Sequence, residues 1–136
     1  MLMLDTNVVS EMMKPEPDER LRAWYRRQQS SEMCISVISI GETVYGLQKM
    51  PEGKRKDQMS HWFEVDFLEW IGDRIYPVGE SVMRDWAALK AQSRTLPVVD
   101  SLLAATALAA GATLVTRNAK DFAGIDGLRV VNPWEE

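Results

Sequence analysis

Four carboxylates stand where carboxylates are least expected. Asp5 ends the apolar run Met1-Leu2-Met3-Leu4, and Asp121 closes a polar cluster just past the run Thr113-Leu114-Val115-Thr116. Glu42 lies in Ile38-Ser39-Ile40-Gly41-Glu42-Thr43-Val44-Tyr45-Gly46-Leu47, and Gly46, one turn on, leaves room beside it. Asp100 is the only acid in Leu96-Pro97-Val98-Val99-Asp100-Ser101-Leu102-Leu103. If these groups converge, like charges ~4 Å apart repel by ~4 kcal/mol per pair at an effective dielectric near ~20. Several such pairs rival the ~5–15 kcal/mol that holds a domain together. The groups must then protonate, separate or bind a cation. Oxygen ligands without a Cys or His cluster favour Mg²⁺, with Mn²⁺ as the second choice, over Zn²⁺. A cation so held suits phosphodiester hydrolysis by an activated water. His61 is the single histidine, which excludes a two-histidine ribonuclease mechanism and leaves a Ser-His-Asp triad without support.

Each acid also has an ordinary structural reading. Asp5, Thr6 or Asn7 could cap a helix. Glu42 could be an exposed helix residue, Asp100 an N-cap or first-turn acid that complements the helix dipole, and Asp121 a turn residue. The chemistry rests on the set rather than on any one member.

The elements that must bring the set together alternate between short apolar strands and helices. Strands are predicted at Leu2–Leu4, Met33–Val37, Ile75–Val78, Ala112–Thr116 and Arg129–Val131. Helices are predicted at Val8–Met13, ended by Pro15 and Pro17, and after Asp18, with Leu21, Trp24 and Tyr25 on one face. Another runs from Ser39 to Lys49, with Glu42 bordering an apolar stripe beside Ile38 and Tyr45. Beyond the Pro51-Glu52-Gly53 break, one longer helix carries Met59, Trp62, Phe63, Phe67 and Trp70. Glu80–Ser93 is helical, and Val99–Ala110 is apolar enough for a buried helix that Gly111 stops. This order argues for an α/β fold, a parallel sheet with helices on both faces. In such sheets sites form past the carboxyl ends of the strands, where Asp5 and Asn118–Asp121 both fall.

The chain has 136 residues, 46% of them hydrophobic and 26% charged, which fits one soluble globular domain over residues 1–136. No apolar stretch has membrane-spanning length and no secretory leader is visible, so a cytoplasmic location is expected. The net charge of −4 gives no global basic field for nucleic acid, although Arg20, Arg22, Arg26 and Arg27 cluster, as do Lys49, Lys54, Arg55 and Lys56. Cys34, the single cysteine, reads as a buried small hydrophobe.

The motifs Leu4-Asp5-Thr6-Asn7-Val8-Val9-Ser10-Glu11, Ser39-Ile40-Gly41-Glu42, Asp100-Ser101-Leu102-Leu103-Ala104-Ala105-Thr106-Ala107 and Thr116-Arg117-Asn118-Ala119-Lys120-Asp121-Phe122 resemble a PIN domain. With the closing Val131-Asn132-Pro133-Trp134, the chain most resembles the VapC and FitB-like toxins of bacterial type II toxin–antitoxin modules. The resemblance implies a three-layer fold, a five-stranded parallel sheet flanked by helices, and a Mg²⁺-dependent endoribonuclease site. Asp5, Glu42 and Asp100 match the three acidic positions. Asp5 and Asp100 are then metal ligands, and Glu42 binds metal or orients the water. Thr6 and Thr116 support the site through their hydroxyls. Many relatives carry an acid where this chain has Asn118, which can still offer a carbonyl oxygen. Asp121, one helical turn on, is the further acid of the site, acting directly or through water. Fewer charges hold a second cation less firmly.

The resemblance also implies a homodimer and an antitoxin partner with a DNA-binding half, for which Met12, Met13 and Leu21 are candidate groove residues. Trp62, Trp70 and Trp86 could serve interfaces or core packing. Arg117 and the Lys49–Lys56 segment are candidates for holding an RNA backbone. Two rivals stand beside the nuclease. One is a Mg²⁺-binding aspartyl phosphotransferase or receiver-like domain with Asp5 phosphorylated, though Thr6 and Asn7 follow Asp5 where a second acid is expected. The other is a catalytically weak PIN module that mainly binds its partner.

Overall fold

A computed structural model describes residues 1–92 and 95–136. Five parallel strands form one sheet: β1 (Leu2–Leu4), β2 (Met33–Ser36), β3 (Ile75–Tyr76), β4 (Thr113–Val115) and β5 (Val130–Val131). Their order across the sheet is β3-β2-β1-β4-β5. The chain winds outward from β1 to β3, then crosses back to lay β4 on the other side of β1. That reversal opens a crevice at the carboxyl ends of β1 and β4. Register sets both ends level, since Leu4 pairs with Val115 and the N–H of Asp5 donates to the Val115 carbonyl at 2.9 Å.

Alternation along the strands feeds two cores. Leu4, Met33, Ile35 and Val115 point to one face, where they meet Val8, Leu21, Trp24, Phe63 and Phe67. Met3, Cys34 and Leu114 point to the other, against Leu89, Leu103, Ala104 and Ala107. Burial on both faces explains why the central strands β1, β2 and β4 are apolar apart from Ser36 and Thr113 at their ends. Cys34 is fully buried, and burial pushes its thiol up to about 11, so it packs as a small hydrophobe.

The helices are α1 (Thr6–Met12), α2 (Glu19–Arg26), α3 (Val37–Lys49), α4 (Lys54–His61), α5 (Leu68–Ile71), α6 (Glu80–Gln92) and α7 (Val98–Ala110). Asp18 caps α2 by accepting from the Arg20 N–H at 2.8 Å. Gly111 ends α7 in the left-handed region, at φ 64°. The predicted helix end at Ser93 lies outside the described residues.

Three expectations need correction. The long aromatic helix runs on from Lys54 to Ile71 but is not α-helical throughout: between α4 and α5, Trp62–Phe67 form a π-helical turn that carries the stacked rings of Phe63 and Phe67 into the core, 5.6 Å apart. A widened turn of this kind leaves no mark in apolar periodicity. The second correction concerns α3, which starts at Val37, with Ser36 Oγ accepting from the Ile38 N–H at 3.1 Å. Its inward face is Ser39, Thr43 and Leu47, while Tyr45 is 62% exposed. Thr43 meets the burial cost by donating to the Ser39 carbonyl at 2.7 Å. The small inward residues let α3 lie close to α1 and α7, and Glu42 stays on the exposed side. Third, several boundaries shift: β3 stops at Tyr76, and α1 begins at Thr6 because Asp5 is its cap.

Candidate active site

Asp5 leaves β1 and caps α1 in one step. Its Oδ1 accepts from the Thr6 N–H at 2.6 Å. Its Oδ2 accepts from the Thr116 hydroxyl at 2.8 Å and from Asn7 Nδ2 at 3.3 Å. Thr116 leaves β4, is fully buried, and its Oγ1 also accepts from Asn7 Nδ2 at 3.2 Å and from the Asn118 N–H at 3.1 Å. On the other side of Asp5, the Thr6 hydroxyl donates to Glu42 Oε1 at 2.6 Å, which fastens α3 to the start of α1. Asp100 lies in the first turn of α7, whose cap position is Pro97.

These elements enclose an open cleft of about 450 Å³ at the sheet's switch point. Asp5, Glu42 and Asp100 all line it, with Thr6, Asn7 and Asn118. Asp121 is placed differently. It belongs to the 3₁₀ turn Ala119–Phe122 and lines the neighbouring hollow with Pro97 and Ile125. It still lies near enough to Asp100 for their charges to repel.

The electrostatics follow from this crowding. Burial pushes the Asp5 carboxyl above the ordinary carboxylate range. The Thr116 hydroxyl and Thr6 amide pull it back, and the charges of Asp100 and Glu42 push it up again. Asp100 is also raised, first by burial, then by Glu42 and Asp121. The Asp100 side chain has no hydrogen bond or ion pair among the described residues. Its oxygens are free for another ligand.

An oxygen-only donor set with two strained acids fits a hard divalent cation. Asp5 and Asp100, with Glu42 beside them, are the residues that would hold one. No group of three acidic, histidine or cysteine side chains among the described residues is already arranged around a metal position.

The family model of the PIN domain matches residues 2–128. The chain belongs to the PIN-domain family. It is 37% identical to a protein named VapC ribonuclease Y4jK, from Sinorhizobium fredii, over 99% of each chain. It is 31% identical to Toxin FitB of Neisseria gonorrhoeae over the full length of both. Among solved structures, FitAcB from Neisseria gonorrhoeae superposes with a TM-score of 0.92 at 31% identity, covering both chains completely. VapBC2 from Rickettsia felis, bound to a DNA fragment from its promoter, gives 0.76 at 27% identity and 96–97% coverage.

Reading this PIN domain from sequence missed one residue at the heart of the network. Asn7 bridges Asp5 and Thr116 through Nδ2, and its Oδ1 accepts from the Arg117 N–H at 3.1 Å. Its place two residues past a strand-end acid was the available signal, and it pointed only to capping. The basic segment 49–56 stands away from the cleft lining. Lys56 pairs with Glu52, Lys49 lies over the Tyr45 ring, and Arg55 lines a separate apolar groove with Met12 and Trp62. Among the described residues, the cations in the cleft wall are Lys14 and Arg117.

Proposed function

We propose that this PIN domain is a Mg²⁺-dependent endoribonuclease that acts as the toxin of a type II toxin–antitoxin module. One observation carries the chemistry: acids from the end of β1, from α3 and from the first turn of α7 share one cleft at the switch point, with Asp5 and Asp100 both held above their ordinary pKa. A bound divalent cation supplies positive charge for a phosphoryl oxygen and acidity for a water. Asp5 is held rigid by Thr6, Asn7 and Thr116, and Asp100 is unencumbered, so the pair is suited to hold that ion. Glu42 accepts the Thr6 hydroxyl on Oε1. Its other oxygen is left to orient the attacking water and take its proton. Asn118 offers a neutral oxygen at the rim where an acid would strengthen a second cation site. Asp121, behind Asp100, adds charge from outside the cleft. Mn²⁺ suits the same donors.

The names of the relatives support the substrate and the module, since one is called a ribonuclease and another a toxin. An antitoxin with a DNA-binding half is the expected partner, in line with the promoter-bound VapBC2 complex. An apolar groove of about 300 Å³ between α1, α2 and the π turn, lined by Met12, Leu21, Tyr25 and Trp62 and edged by Arg22 and Arg26, suits an amphipathic helix with an acidic flank. For a homodimer the candidate face is on α3 and α7, which pack together and expose Val37, Tyr45, Val98 and Val99. Among the described residues no helix is long and apolar enough to cross a membrane. The proposed place of action is the cytoplasm, where its RNA substrate is found.

The test is RNA incubated with purified protein in Mg²⁺, in Mn²⁺ and in EDTA. Cleavage that depends on the metal and yields defined 5′ ends is expected. RNA left intact under all three conditions removes the nuclease and leaves the partner-binding module.

A further inference from the structure

Among the described residues, two cations line the acidic cleft, and they are held differently. Lys14 Nζ is paired with Glu11 Oε1 at 3.0 Å. Arg117 has no ion pair among the described residues; its guanidinium lies over the Trp134 ring, 5.0 Å from the centroid. The backbone of Arg117 is pinned on both sides. Its N–H donates to Asn7 Oδ1 at 3.1 Å, and its carbonyl accepts from Asn132 Nδ2 at 3.1 Å. Asn132 Oδ1 in turn accepts from the Trp134 N–H at 2.9 Å. Trp134 is 4% exposed and packs in the same core cluster as Leu4 and Val115, the residues that end β1 and β4. The indole is therefore a fixed platform, while the arginine on it is exposed.

A guanidinium held over a ring by its central carbon keeps N–H groups that can match two oxygens of a phosphate. A long exposed side chain would otherwise lose considerable rotamer freedom on binding. An acidic cleft also repels a polyanion, so one aimed cation at its rim matters.

We propose that Trp134 is a positioning residue for RNA: its ring holds the Arg117 guanidinium at the rim of the cleft, edge outward, to receive a backbone phosphate next to the bond that is cut. This rests on the ribonuclease reading above. The test measures binding of a fluorescent single-stranded RNA in EDTA, where nothing is cleaved, across a range of salt, for wild type, Arg117→Ala, Trp134→Leu, Trp134→Phe and the Arg117→Ala/Trp134→Leu double variant. Trp134→Leu should weaken binding about 2- to 5-fold. Trp134→Phe should recover part of the loss. Arg117→Ala should lower the salt dependence by about one phosphate contact. In the Arg117→Ala background Trp134→Leu should do nothing further, which a merely structural role would not reproduce. Should Trp134→Leu fail to fold, Arg117→Lys keeps the charge without the planar stack and is expected to bind RNA more weakly than wild type. Wild-type affinity in folded Trp134→Leu or in Arg117→Lys, or an equal loss with and without Arg117, overturns the proposal. A wild type that cleaves RNA while Trp134→Leu is indifferent removes this proposal alone; a wild type that neither binds nor cleaves RNA removes the ribonuclease reading as well.

Discussion

The Thr116 hydroxyl donates to Asp5 Oδ2 at 2.8 Å, joining the ends of two adjacent strands whose residues are 111 positions apart. Thr116 Oγ1 in turn accepts hydrogen bonds from Asn7 Nδ2 and from the Asn118 backbone N–H. One buried hydroxyl thus organises the floor of the cleft. Thr116→Val keeps the shape and removes every one of these bonds. It should cost about 1–3 kcal/mol of stability, read by urea denaturation, because buried donors are left unpaired. Cleavage should fall about 10- to 100-fold, as expected when a ligand loses its orienting partner. Unchanged stability and activity would show that the network is incidental.

Asp5→Asn and Asp100→Asn should each lower RNA cleavage by about two orders of magnitude or more, with circular dichroism unchanged. Toxicity on expression should fall with it. Full cleavage by either variant would remove that carboxylate from the site.

Both raised carboxyls make a statement about pH. In the folded state Asp5 and Asp100 bind protons more tightly than in the unfolded chain, where the reference value is 3.8. Between that value and the folded pKa the native state holds more protons, so stability falls as pH rises. Their contribution is complete below about pH 3.8 and is lost as pH climbs through the raised values. Measured in EDTA, Asp100→Asn should flatten this part of the stability–pH curve and melt higher than wild type at neutral pH. The Asp100 side chain has no hydrogen bond to forfeit among the described residues. A variant that melts lower than wild type at pH 7 would contradict the strain assigned to Asp100.

Divalent cations should reverse that strain. At pH 7, Mg²⁺ at roughly a hundred times its dissociation constant should stabilise the protein by about 2.7 kcal/mol, seen as a rise in Tm. The gain should shrink toward pH 4, where protons compete for the same oxygens. Asp100→Asn should respond weakly. Equal Mg²⁺ shifts in wild type and Asp100→Asn would place the ion elsewhere.

Much of the architecture was readable along the chain because it depends on local chemistry. Short strands that are apolar almost throughout announce a sheet covered on both faces, and Met3 and Leu4 do point into opposite cores. Asp18, followed by a helix with Leu21 and Trp24 inward, carries its own start signal. Asp5 and the segment Asn118–Asp121, just past strand ends, pointed to one edge of the sheet; Asp5 and Asn118 line the cleft there, and Asp121 lines the hollow next to it. What escaped were properties that depend on neighbours distant in sequence. Ser39 and Thr43 face inward because α3 approaches α1 and α7 closely, which outweighs their polarity. Asp121 read as a further acid acting directly or through water; its 3₁₀ turn places it in the next hollow, beside Pro97 and Ile125.

By itself the sequence determined which residue types were on hand: oxygen donors, one buried thiol, one histidine, and strands too apolar for anything but a covered sheet. Which of those oxygens share a cleft, that Asn7 ties two strand ends together, and that Trp134 underlies Arg117 were decided by the crossover that lays β4 against β1. Side-chain contact is set by strand order and register, and those follow from the packing of the whole chain rather than from any window of it.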